Sequence, residues 1–191
     1  SSTCEILYGV LKKLNIKLLL LLAIALIIGG NECHAADGVI TPTIYPQPAE
    51  CEISATDYIP LTAITIRTED ATAKKWADEH LKQWYGKHAP TVAQQSVANG
   101  ALADEEYELT IGKQGITVNA RTLQGVRYAL YSLRQIAIAG RGTTEVAGWI
   151  APVATIKDKP KTSFRGVHIC WFRETEPWQV ERLIRMAAYY K

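Results

Sequence analysis

Methionine is nearly missing from this sequence, with Met186 the only one among 191 residues. Phenylalanine occurs twice, and histidine and cysteine four times each. His80 and His88 stand eight positions apart, which is not the spacing of a metal-ligand pair, so no metal site is expected. Net charge is scarce as well. A balance of +2, with lysines and arginines scattered rather than interleaved with aromatics, excludes a nucleic-acid-binding surface. There is also no apolar run of the roughly 20 residues that a membrane-spanning helix requires. What remains is 48% hydrophobic and 21% charged, the balance of a globular chain rather than a disordered one. The lone methionine lies far from the start, and the last residue, Lys191, falls inside a helical pattern. The printed sequence is therefore expected to be a fragment of a longer gene product, with Val10 or Leu11 as an alternative initiator.

The apolar run that does exist is Leu18–Ile28, eleven residues preceded by Lys12, Lys13 and Lys17. Gly29 and Gly30 interrupt it, and Cys33-His34-Ala35-Ala36 supplies small residues for a cleavage point. A basic stretch, a short apolar core and a small-residue exit form the secretory signal pattern. Residues 1–36 are expected to be a signal peptide with upstream residues, the only part that meets a membrane, and that only during export. An uncleaved anchor, a buried helix and lipidation at Cys33 are the alternatives. The mature protein is then periplasmic, extracellular or held at the cell surface. Cys51 and Cys170 remain after cleavage, and they are expected to be two separate buried thiols.

From Asp37 onward the chain reads as an α+β domain. The prolines of Thr41-Pro42 and Tyr45-Pro46-Gln47-Pro48 make an extended lead-in. Ala63–Arg67 alternates like a half-buried strand. A helix follows, capped by Asp70 or Thr72, with Ala73, Trp76, Ala77, Leu81 and Trp84 on one face and an end near Gly86. Ala89–Ala103 lacks periodicity and reads as a loop. Tyr107–Ile111 and Ile116–Val118 alternate around Gly112-Lys113-Gln114-Gly115, a hairpin signal. A second helix from about Thr122 to Ala139 aligns Leu123, Val126, Leu130, Leu133 and Ala137, and Gly140-Arg141-Gly142 stops it. The expectation is a small, mostly antiparallel sheet with two amphipathic helices.

Three stretches carry a resemblance. Tyr107–Ile111, Gly115–Ala120 and Gly125-Val126-Arg127-Tyr128-Ala129-Leu130 are similar to the small N-terminal domain of family 20 β-N-acetylhexosaminidases. Ala129 stands where that family often has a second glycine. Ala154–Pro160 resembles the family's Ile-x-Asp-x-Pro linker into a catalytic (β/α)8 barrel. Phe164–Ile169, with Arg165-Gly166, resembles the barrel's first strand, and Pro177–Lys191 its first helix, with Val180, Leu183, Ile184 and Ala187 on one face. The resemblance thus implies an N-terminal α+β domain over 37–160 and the start of a truncated barrel over 161–191.

The family resemblance also implies a chemistry. The parent would hydrolyse terminal N-acetylhexosamine from a glycan by a substrate-assisted retaining mechanism, with no metal or organic cofactor. Its catalytic Asp-Glu pair would lie beyond Lys191, so this chain carries no catalytic residue and is expected to be inactive alone. Arg165 matches the arginine that binds hydroxyls of the terminal sugar, with a structural salt bridge as its other reading. At Cys170-Trp171-Phe172-Arg173-Glu174, Cys170 and Glu174 replace the family's aspartate and histidine. That leaves open another exo-glycosidase of this architecture, α-glucuronidase-like or O-GlcNAc-cleaving, and also a secreted non-catalytic carbohydrate-binding module. Asp104-Glu105 reads as a solvated loop and His168 as a packed or hydrogen-bonded side chain. Trp171 reads equally as core or as sugar-pocket lining. Residues from about Ser163 are expected to be poorly ordered or sticky, because one strand and one helix cannot close a barrel and leave apolar surface uncovered.

Overall fold

The computed structural model describes residues 42–140 and 148–191. The expected signal segment lies outside the described residues. Among the described residues no helix is long and apolar enough to cross a membrane.

Among the described residues seven strands form one mixed sheet: β1 (Glu50–Pro60), β2 (Ala63–Arg67), β3 (Thr91–Gln95), β4 (Tyr107–Gly112), β5 (Gly115–Ala120), β6 (Ile138–Ala139) and β7 (Trp149–Asp158). The spatial order is β1-β7-β4-β5-β2-β3, with β6 paired to β7. The pairs made by β4 and by β7 are antiparallel, while β2 runs parallel to both β3 and β5. Helices α1 (Ala73–Tyr85) and α2 (Leu123–Ile136) belong to the same domain, and α3 (Pro177–Tyr189) follows it.

The alternation that marks the strands builds the core directly, because successive side chains point to opposite faces. Leu109 pairs with Val118 and Ile156, and Ile111 with Ile116 and Ala154, all of them buried. Ile64 and Ile66 continue the row beside Ile116 and Val118. The α2 stripe, with Val126, Leu130 and Leu133 fully buried, packs against this face. The alternate positions Thr110, Thr155 and Lys157 face outward.

The hairpin stands as expected. Gly112 pairs with Gly115, whose φ of 114° lies where an L side chain is strained, so Lys113 and Gln114 form the two-residue loop.

Several expectations need correction. Ala89–Ala103 is not wholly loop, since Thr91–Gln95 is the edge strand β3. Its pattern was weak because only Val92 faces the core. The second helix ends at Ile136 rather than Ala139, and Ile138–Ala139 instead pairs with Trp149 and Ile150. Ala154–Pro160 is not merely a linker. Through Asp158 it belongs to β7, which lies between β1 and β4. Pro152 within β7 has no N–H for a ladder, and β1 bulges opposite it, with Ser54–Asp57 lying between the pairs Ile53–Ala154 and Tyr58–Pro152. Phe164–Ile169 forms no strand, because none of the seven strands lies beside it to complete a ladder.

Candidate functional site

Arg165 lies on the irregular segment between β7 and α3, and its planar fork is turned back onto the α+β domain. Nη2 donates to Glu105 Oε1 at 2.7 Å and to the Tyr128 hydroxyl at 2.7 Å. Nη1 donates to the Thr162 carbonyl at 2.8 Å, and Nε to the Lys191 carbonyl at 3.3 Å. The Tyr128 hydroxyl itself donates to Glu105 Oε1 at 2.9 Å, closing a triangle of three side chains. A guanidinium has five N–H donors. Four are engaged here, which leaves one on Nη1 with no partner among the described residues.

Local sequence explains why the partners meet. Thr122 caps α2, its hydroxyl accepting from the Gln124 and Gly125 amides and donating to the Asp104 carbonyl. That pins the loop ahead of β4 to the start of α2 and holds Glu105 beside Tyr128, which lies in the second turn of the helix. Gly125 permits the approach: a Cβ there would sit 2.6 Å from the Glu106 carbonyl oxygen and 3.0 Å from Ala120 Cβ. The Glu105 carboxyl is held below its ordinary pKa, first by the hydrogen bond from Arg165, with burial opposing. The Arg165 guanidinium is correspondingly pushed up, first by Glu105.

Beside this triangle a cleft of about 840 Å³ opens between the outer surface of α1 and α2 and the segment that carries Arg165 and α3. Trp76, His80 and Tyr131 line one wall, and Leu183, Ile184 and Ala187 the other. The imidazole of His80 stacks on Trp76 at 3.9 Å, and Arg127 lies over the same indole at 5.2 Å. Trp76 and Trp84 are therefore half-buried at the border of the core rather than wholly within it. Among the described residues no group of three or more His, Cys, Asp or Glu could hold a metal ion.

Other sequence-selected residues fall elsewhere. Glu105 is not a solvated loop residue, since it forms the ion pair with Arg165, whereas Asp104 stays exposed beside Arg121. His168 is exposed rather than packed, because its segment has no sheet partner. Cys51 and Cys170 are separate thiols as expected, but both are exposed: one lies on the edge strand β1 and the other on the unpaired segment. Trp171 is 60% exposed and so is not core here. Sequence reasoning missed Glu105 and Tyr128 as partners of Arg165, because they join residues far apart in the chain. A lone hint was Tyr128 beside the small Gly125 on a helix whose other positions are mostly apolar.

The geometry thus defines an α+β domain with an aromatic cleft beside the triangle of Arg165, Glu105 and Tyr128. Comparison with known proteins narrows the class. The family model described as glycosyl hydrolase family 20, domain 2, matches residues 41–159. The chain belongs to glycosyl hydrolase family 20.

Solved structures agree in fold. A family 20 β-N-acetylhexosaminidase from Streptomyces coelicolor A3(2) superposes with a TM-score of 0.62 at 25% identity, over 80% of this chain and 34% of that one. A family 20 exo-β-N-acetylglucosaminidase from Vibrio harveyi, in complex with N-acetylglucosamine, gives 0.57 at 22%, over 79% of this chain and 25% of that one. A chitobiase from Flavobacterium johnsoniae gives 0.54 at 20%, over 77% and 25%. This chain thus spans a quarter to a third of the length of these relatives. No curated protein sequence matches it.

Proposed function

We propose that this chain is the front end of an exported glycoside hydrolase whose parent removes terminal N-acetylhexosamine residues from glycans. In this reading residues 161–191 are the opening strand and helix of a (β/α)8 barrel, and Arg165 contacts hydroxyls of the terminal sugar. The observation that carries it is the family match, which runs to residue 159 and stops just short of Arg165-Gly166. The solved relatives named above support the substrate class, since their own names specify N-acetylglucosaminidase and N-acetylhexosaminidase activity.

The chemistry would be substrate-assisted and retaining. The sugar's own acetamido oxygen attacks the anomeric carbon, an aspartate orients that group, and a neighbouring glutamate protonates the leaving oxygen. Those two carboxylates belong to a later part of the barrel, so the present chain contributes binding and not bond cleavage. Arg165 suits that task. Its free Nη1 hydrogen can donate to one hydroxyl, and Glu105 beside it can accept from another.

Cys170 and Glu174, where the family has an aspartate and a histidine, favour a second reading. Here the parent is another exo-glycosidase of the same architecture, with a different sugar in the pocket.

The test is hydrolysis by the protein made from the complete reading frame. It should cleave a p-nitrophenyl N-acetyl-β-glucosaminide and leave the 2-hydroxy glucoside intact. Arg165→Lys should raise KM by about tenfold, because a lysine lacks the fork that meets Glu105, Tyr128 and a sugar hydroxyl at once. Equal cleavage of both substrates would contradict the acetamido mechanism, and preference for a glucuronide would favour the second reading. The 191-residue chain alone should release no p-nitrophenol.

A further inference from the structure

The side chain of Lys191 keeps only 6% of its accessible surface. Its ammonium donates to the Tyr107 hydroxyl, Ser132 Oγ and Asp158 Oδ2, each at 3.0 Å. An ammonium has three N–H donors, so this socket satisfies every one. The three acceptors come from β4, α2 and β7 of the α+β domain, with Tyr107 and Ser132 fully buried and 2.6 Å apart. A burial this deep disfavours the charged amine and pulls its pKa down, with Asp158 opposing. Removing the lysine would leave three buried or half-buried oxygens facing one another.

Lys191 follows α3 with a φ of 67°, which a glycine would also adopt without strain. The end of α3 is tied down beside it as well. Gln135 Nε2 donates to the Tyr189 carbonyl at 3.1 Å, and Arg134 lies over the Tyr189 ring at 5.4 Å. From this anchored end, the Lys191 carbonyl accepts the hydrogen bond from Arg165 Nε.

We propose that Lys191 is a positioning residue: its ammonium plugs a polar socket in the α+β domain, and its carbonyl thereby fixes the orientation of Arg165. The sugar-contact reading of Arg165 gives this clamp its functional meaning, but the clamp itself can be measured without sugar. It assigns the α+β domain a role that its fold alone does not disclose, as the platform that fixes the orientation of a guanidinium on the segment that follows it.

The test is site-resolved phenylglyoxal labelling of the full 191-residue chain, read by mass spectrometry. Exposed Arg173 serves as the fast internal standard, and Arg127 on α2 reports that the α+β domain is intact. In the unsubstituted chain Arg165 should react about tenfold more slowly than Arg173, as befits a guanidinium held by charged hydrogen bonds. Lys191→Gly keeps the left-handed backbone comfortable and removes only the side chain. It should bring Arg165 to within a factor of about two of Arg173, with Arg127 unchanged. If Arg165 stays as slow in Lys191→Gly as before, the clamp is wrong and Glu105 alone holds the guanidinium. Should Lys191→Gly also speed Arg127, the fold has loosened, and Asp158→Asn decides by the same comparison. N-acetylglucosamine is then added to the protein made from the complete reading frame. Slower labelling of Arg165 supports both readings, while no change removes the sugar contact and leaves the clamp standing on the variants.

Discussion

Asp70 shows how one carboxylate can organise two helices. Its Oδ1 accepts from the backbone amide and the hydroxyl of Thr72 at the start of α1, and its Oδ2 accepts from the Leu123 amide at the start of α2. Both helix N-termini carry unsatisfied N–H groups and partial positive charge, so one anion serves both. Asp70→Ala should therefore cost about 1–2 kcal/mol in chemical denaturation, more than an ordinary surface substitution. Gly125→Ala should also destabilise, by about 1–3 kcal/mol, although alanine is the better helix former. The close contacts with Glu106 and Ala120 must give way, and a thermal melt of the variant would show it.

Titration follows from the same contacts. The carboxyl of Asp70 is held low, first by the Thr72 side chain, and that of Glu105 is held low by Arg165. A depressed folded pKa gives stability that is complete above the unfolded values, 3.8 for Asp70 and 4.5 for Glu105, and is lost as pH falls through the folded ones. The melting temperature should therefore be flat near neutrality and decline below about pH 4. Asp70→Asn should lessen the decline, which a set of melts across acid pH would measure. The effect is modest because both groups are near solvent.

Among the elements, those with clean periodicity were legible in the sequence. The hairpin of β4 and β5, both helices of the α+β domain and the start of α3 at Pro177 follow from alternation, apolar stripes and caps. The edge strands were not. β3 buries one apolar side chain, and β1 is interrupted by a bulge, so neither displays a period of two for long. β7 was concealed because Pro152 reads as a strand breaker, and only the bulge in β1 makes it tolerable. Arg165 was legible as a candidate through resemblance alone. Its partners were not, since Glu105, Tyr128 and Lys191 lie up to 60 positions from it in the chain.

Tyr107 lies within a legible strand, yet its hydroxyl belongs to the Ser132 and Asp158 network that no local pattern announces. Tyr107→Phe should cost about 1–2 kcal/mol, because it removes one hydroxyl from a buried polar group and leaves its partners short. Urea denaturation would measure it.

At the scale of the whole molecule, the two ends of the described chain differ in finish. The α+β domain has a continuous buried core, whereas the segment beyond it exposes Phe164 at 85%, Trp171 at 60%, Phe172 at 65% and Trp178 at 58%. α3 has no buried residue at all. Large apolar side chains left in water in this way favour association. The mean mass in analytical ultracentrifugation should rise with concentration and fall back in a Trp171→Ser/Phe172→Ser variant. A monomer at every concentration would mean that this face is not sticky.

The measurement closest to the central claim is the coding sequence past the codon for Lys191. An open frame of roughly 300 further residues should complete an eight-stranded barrel, with an adjacent Asp-Glu pair at the C-terminal end of one strand. A barrel without that pair would contradict the acetamido chemistry. A stop codon directly after Lys191 would contradict the enzyme reading for this chain and leave a carbohydrate-binding module in its place.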